Sequence, residues 1–138
     1  MNTRPTDLAL LFIRLCVGGI MLTQHGWGKL TRYSEKSSTF PDPLGVGPEL
    51  SMALAVFAEV ACSALLILGL LSRFAAFQLL FTMMVAAIIV HADDPFNKKE
   101  LALLYGLHFF VLLLAGPGRF SVDGRLKPHL PELWRRFV

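Results

Sequence analysis

The sequence predicts an all-α integral membrane protein, an antiparallel four-helix bundle with both termini in the cytoplasm. Three observations point there. The chain has 138 residues, 54% of them hydrophobic and 17% charged, and its mean hydropathy is +0.57. That is too apolar for an ordinary soluble domain, which needs polar surface on all sides. The charges gather at the ends of apolar runs, a pattern that a bilayer produces and bulk water does not. Finally, only "LSR" separates the second run from the third, so those helices must be antiparallel neighbours.

The length suits one domain, residues 1–138. The first span covers about residues 7–30. It has the apolar character of a signal peptide, but Arg14 interrupts its middle and no small-x-small cleavage site follows. The second span covers about 49–71, the third about 73–92 and the fourth about 100–116, where Gly116-Pro117-Gly118 stops it. At ~1.5 Å per residue each crosses, or nearly crosses, a hydrocarbon core of ~30 Å. The fourth is the shortest and is expected to start at the interface.

Flanking charges set the orientation. With both termini on one side, that side holds Arg4, Arg73, Arg119, Arg125, Lys127, Arg135 and Arg136, against Lys29, Arg32, Lys36, Lys98 and Lys99 on the other. The positive-inside rule places the richer side in the cytoplasm. The outer loop, 31–48, is long for a hairpin and contains "FPDPLGVGP". It reads either as a lid over the outer face or as a solvated connector. The tail, 119–138, sets Trp134 and Phe137 beside Arg135 and Arg136, as an interfacial segment does. The net charge of +3 is spread over loops and tail, so it is read as a topology signal and not as a nucleic-acid footprint.

Ionisable groups inside spans are costly, and they normally face the bundle interior with a partner. Arg14 lies in the first span and Glu59 in the second. An Arg14–Glu59 ion pair is the simplest way to neutralise both. At 100° per residue Arg14, Gly18, Met21 and His25 share one stripe, with Lys29 at its edge. Ala55, Glu59, Cys62, Leu66 and Gly69 share another, and the two stripes are expected to face each other. His25 and Lys29 end the first span, His91 ends the third and Glu100 begins the fourth. Tyr105 and His108 lie one to two turns deeper. Together these residues outline a polar funnel leading from the outer surface toward Glu59. A metal site built on His25, His91 and a carboxylate lacks the His-x-x-x-His or Glu-x-x-His spacing of dedicated sites, so no metal is expected. Cys16 and Cys62 lie inside apolar runs and read as packing residues, without the base that a redox pair would need.

Several stretches resemble the DoxX family of small four-helix membrane proteins. They are "RLCVGGIMLTQHGWGKL", "AEVACSALLILGLLSRFAA", "VHADDPF" and "KKELALLYGLHFFVLLLAGPGRFSVDG", in that order. The resemblance runs from about Leu8 to Asp123. Its specificity lies in Arg14, His25-Gly26, Lys29, Glu59, Gly69, Arg73, His91, Glu100 and Gly116-Pro117-Gly118-Arg119 taken together. One departure is that Cys62 and Ser63 stand where the family commonly has two glycines. The resemblance implies a multi-pass protein of the prokaryotic cytoplasmic membrane. It also implies an association with redox, detoxification or oxidative-stress systems, often beside a soluble partner, since the family takes its name from a membrane subunit of a thiosulfate:quinone oxidoreductase.

Three functions follow. In the first, the chain is a membrane redox subunit, an uncertain enzyme by itself, that binds a quinone-like or other small amphipathic ligand. His25, Lys29, Glu59, His91, Glu100, Tyr105 and His108 would then be ligand-binding residues, with Glu59 and His25 the candidates for proton handling. The sequence carries no haem, flavin or iron–sulfur motif, so electrons would come from a soluble redox partner. In the second, the bundle is a non-catalytic anchor for a soluble enzyme. In the third, it is a small transporter, which would need a homo-oligomer to enclose a path and lacks inverted repeats.

Overall fold

The computed structural model describes residues 4–129 and 131–132. Among them every regular element is helical. Four long helices carry the fold: α1 (Pro5–Thr31), α2 (Pro48–Leu68), α3 (Ser72–Val90) and α4 (Phe96–Ala115). A short α5 (Val122–Leu126) follows. The proposed interfacial residues Trp134, Arg135, Arg136 and Phe137 lie outside the described residues.

Proline sets several of the starts. Pro5 and Pro48 open α1 and α2, and Pro95 immediately precedes α4. A proline at the first helical position sacrifices no hydrogen bond and arrives with the helical φ already fixed. The fourth helix therefore begins a turn earlier than the apolar run suggests, because Phe96 and the charged Asn97–Glu100 stretch continue it outward. The second helix ends earlier than expected. Gly69 adopts φ +70°, Leu70 N–H donates to Leu65 O (2.9 Å) and Gly69 N–H to Leu66 O (3.1 Å), the pair of bonds that closes a helix C-terminus.

α1 packs on α2 and α4, and α3 packs on α2 and α4. Met21, Cys62, Leu66, Leu79, Phe109 and Leu112 fill the middle. Three helices, α1, α2 and α3, are long and apolar enough to cross a membrane. In α4, Lys98, Lys99 and Glu100 hold the first turns below that measure. Only 28%, 39% and 28% of the residues in the apolar windows of α1, α2 and α3 are buried inside the protein. Phe12, Leu15, Phe57, Phe77, Leu107 and Leu114 are among the large apolar side chains left outside. So much exposed apolar surface needs a hydrocarbon solvent.

At the end where α1 begins, the chain is tied by long-range polar contacts. Arg14, 1% exposed, donates from Nη1 to Pro117 O and from Nη2 to Phe120 O (2.7 Å). Asp123 is fully buried and accepts from Leu71 N–H (2.9 Å) and Ser72 N–H (2.8 Å), while its own N–H donates to Gly69 O (2.8 Å). It thereby caps the N-terminus of α3 from 51 residues away, a place where a carboxylate is favoured. Leu71 itself sits in the left-handed region, at φ +47°.

Candidate ligand pocket between α2 and α3

Glu59 and Lys29 define the site. Glu59 projects from α2 into the protein and is 4% exposed. Its Oε2 lies 2.6 Å from Lys29 Nζ on α1. The expected Arg14–Glu59 pair does not form. Gly26, not Arg14, is level with Glu59: a Cβ added to Gly26 would lie 2.7 Å from Glu59 O. The twelve residues from Arg14 to Gly26 rise roughly 18 Å along the helix. Arg14 is level instead with Gly69, whose added Cβ would meet its guanidinium at 2.7 Å. Each buried charge has found the partner at its own depth.

The local backbone is unusual at this level. Met21–Gly26 in α1, Phe57–Cys62 in α2 and Ala86–Val90 in α3 are wound as π-helix. Such wide turns are rare and are found frequently at functional sites. A π turn holds one residue more than an α turn, so every side chain beyond it is rotated from its expected direction. Gly26 is consequently buried against α2, and His25 is only partly covered. His25 meets Tyr105 of α4 edge to face, with ring centroids 5.4 Å apart. Tyr105 in turn stacks on Phe109.

Lys29 and Glu59 open onto a cavity of about 410 Å³. Helices α2 and α3 form most of its wall, through Leu54, Phe57, Ala58, Phe81 and Val85, with Gln78, Thr82 and His91 as further polar groups. Phe40, Pro41, Pro43 and Leu44 of the 32–47 loop also line it. The loop is pinned by Asp42, which accepts from Val46 N–H (2.9 Å), Gly47 N–H (2.8 Å) and Ser51 Oγ (2.8 Å). The Ser51 hydroxyl, ahead of the three loop amides, holds the Asp42 carboxyl below the usual carboxylate range. Of the two readings of this loop, the structure places four of its residues against the cavity.

The predicted funnel is therefore divided. Lys29, Glu59 and His91 reach the cavity. His91 Nδ1 also lies 2.6 Å from Asp94 Oδ2. His25 and Tyr105 meet on the α1–α4 side, within electrostatic reach of Glu59 and Lys29 in the case of His25. His108 turns back on its own helix, its Nδ1 2.6 Å from Leu104 O, and Glu100 is exposed; neither lines the cavity. Gln78 and Thr82 were not singled out from the sequence, although two polar residues four apart in an apolar span are a readable signal. Among the described residues no three His, Cys, Asp or Glu side chains are grouped to hold a metal ion.

Long apolar helices, charged side chains held by partners at their own depth and a largely apolar cavity lined also by Lys29 and Glu59 define a helical membrane protein with a pocket. The DoxX family model matches residues 9–92, and the chain belongs to that family. An uncharacterized protein of Haemophilus influenzae is 30% identical, covering 81% of this chain and 78% of that protein. The uncharacterized membrane protein Rv3486 of Mycobacterium tuberculosis is 31% identical, over 86% of this chain and 81% of its own. The inner membrane protein YqjF of Escherichia coli is 27% identical, over 85% and 91% respectively. No solved structure matches the chain.

Proposed function

We propose that the chain is a multi-pass subunit of the bacterial cytoplasmic membrane that binds a quinone-like or similar small amphipathic ligand for a redox or oxidative-stress system. All four helices span, antiparallel, with both termini in the cytoplasm and the Lys29–Glu59 cavity near the outer face. The observation that carries this reading is the cavity itself, mostly apolar in its walls, with Lys29, Glu59 and His91 as charged or polar groups in its lining. That division suits a ligand with a flat polar head and an apolar tail. The Lys29 ammonium and the His91 ring supply hydrogen-bond donors to a ligand carbonyl. Glu59, ion-paired with Lys29 and within electrostatic reach of His25, would take up a proton and hand it on to the ligand. Reduction of a quinone consumes protons as well as electrons; the chain supplies binding and protons, and a soluble partner supplies the electrons.

The test is ligand-dependent melting of the purified protein in detergent, because a ligand that binds only the folded state raises the melting temperature. Short-chain ubiquinone and menaquinone analogues are expected to raise it for the wild type and not for Phe81→Trp, which fills the cavity, or Glu59→Gln. No shift with any analogue would overturn the reading in favour of a non-catalytic anchor for a soluble enzyme.

A further inference from the structure

A second cavity, of about 280 Å³, lies at the opposite end of the molecule, where α1 and α3 begin and α4 ends. Its wall includes Asp7, Arg73, Arg119, Asp123 and Lys127, together with the Gly116–Gly118 turn. Asp123 is committed to the α3 cap. Asp7 is not fully used. Its Oδ1 accepts from Arg119 N–H (3.0 Å), but its Oδ2 is buried with no hydrogen-bond partner. The residue as a whole is 9% exposed. Arg73, of the opposite sign, is half-buried and also leaves an atom unused. Its Nε is buried and unpartnered, and its Nη2 makes only a long contact of 3.4 Å to Leu114 O. The two line one cavity, yet no ion pair joins Asp7 to Arg73.

A buried acceptor and a buried donor, each lacking a partner, are costly unless something bridges them. A single molecule with an anion that suits a guanidinium and an N–H donor that suits a carboxylate meets both needs at once. We propose that this cavity binds a phosphoethanolamine group. The phosphate lies against Arg73 and Lys127, and the primary ammonium donates to Asp7 Oδ2. A quaternary ammonium has no N–H and leaves the carboxylate unsatisfied. The cavity sits where three long helices terminate, with Phe12, Phe77 and Leu114 exposed on the same helices; with these helices spanning as proposed above, that end lies at the headgroup level of a bilayer. A phosphatidylethanolamine headgroup therefore meets the required chemistry with its acyl chains along the apolar surface. This site is separate from the Lys29–Glu59 pocket and stands whether or not that pocket takes a quinone.

The experiment is melting of the full chain, delipidated in detergent, with phosphatidylethanolamine or phosphatidylcholine of identical acyl chains. The ethanolamine lipid is expected to raise the melting temperature clearly more than the choline lipid. Asp7→Asn should erase that difference, and Arg73→Gln should weaken both shifts. Lys127→Gln changes an exposed residue and serves if the other variants fold poorly; it should reduce the ethanolamine shift. Equal shifts for the two lipids in the wild type, or an unchanged preference in Asp7→Asn and an unchanged shift in Lys127→Gln, would overturn the proposal. Water-soluble glycerophosphoethanolamine forms the second arm. A shift equal to the lipid's at equal free concentration would overturn the lipid as source and leave a site for soluble phosphate esters.

Discussion

Removing one partner of the Lys29–Glu59 pair has consequences that depend on which partner is removed. The Glu59 side chain is 5% exposed, whereas that of Lys29 is 28% exposed. With Lys29→Met the carboxylate stays where it is and has lost the ammonium 2.6 Å away. An uncompensated buried charge costs about 3–5 kcal/mol. With Glu59→Gln the lysine keeps a route to water and can reach outward along its flexible stem. The cost is then that of a lost charge-assisted hydrogen bond, about 1.5–3 kcal/mol. The double variant removes both charges and should recover about 2 kcal/mol relative to the sum of the singles. The assay is a double-mutant cycle of unfolding in mixed micelles, with Arg14→Gln added as a third position. Arg14 and Glu59 are separated by roughly 18 Å of helical rise, so their effects should add within about 0.5 kcal/mol. A Glu59→Gln cost as large as that of Lys29→Met would refute the burial argument. Strong coupling between Arg14 and Glu59 would refute the depth assignment.

Further expectations follow from individual positions. Gly26→Ala puts a Cβ 2.7 Å from Glu59 O and 2.8 Å from Val60 Cγ2, so α1 and α2 must separate; thermal unfolding should show a loss of about 1–3 kcal/mol. Gly28→Ala, with nothing within 4 Å, should be neutral or stabilising by up to about 1 kcal/mol in the same assay. Asp123→Ala strips the α3 amide cap from a fully buried site and should cost about 3 kcal/mol or more. Asp42 has its carboxyl lowered by Ser51 and the loop amides, so its contribution is present above the unfolded pKa near ~3.9 and is lost as pH falls through the folded value. The protection factors of the Val46 and Gly47 amides, taken against the intrinsic exchange rate at each pH, should therefore fall on acidification, and in Asp42→Asn they should be low already at neutral pH and change little with pH.

The apolar runs were legible because hydropathy and helix length are properties of the segment alone. Most of the two stripes was legible too: Arg14, Gly18 and Met21 on α1, Glu59, Cys62 and Leu66 on α2 and Gly69 just past its end are buried, while His25 and Ala55 are half-buried. Partners were harder to read. Arg14 binds backbone carbonyls of the turn after α4, and a carbonyl carries no residue-specific signal. The π turns were invisible for a similar reason, since a bond from i to i+5 leaves no mark in the residue types. A uniform 100° step therefore directed His25 toward Glu59, while the wound chain turns it to Tyr105. Asp123 sits in the quoted "FSVDG", which reads as an ordinary turn, and nothing local announces that it caps a helix 51 residues earlier.

The ties from Arg14 to Pro117 and Phe120, and from Asp123 to Leu71 and Ser72, impose an order of events in time. The ribosome delivers Arg14 more than a hundred residues before its carbonyl acceptors exist. During that interval α1 must be held with an unpartnered arginine inside its apolar span, toward the membrane edge and so below the cost of about 2.5–3.5 kcal/mol for a charge at mid-bilayer. The reversal at Leu71 likewise waits for its carboxylate. The early helices are thus provisional guests of the insertion machinery, and a nascent chain stopped before Asp123 should be recognised by membrane proteases as unfinished.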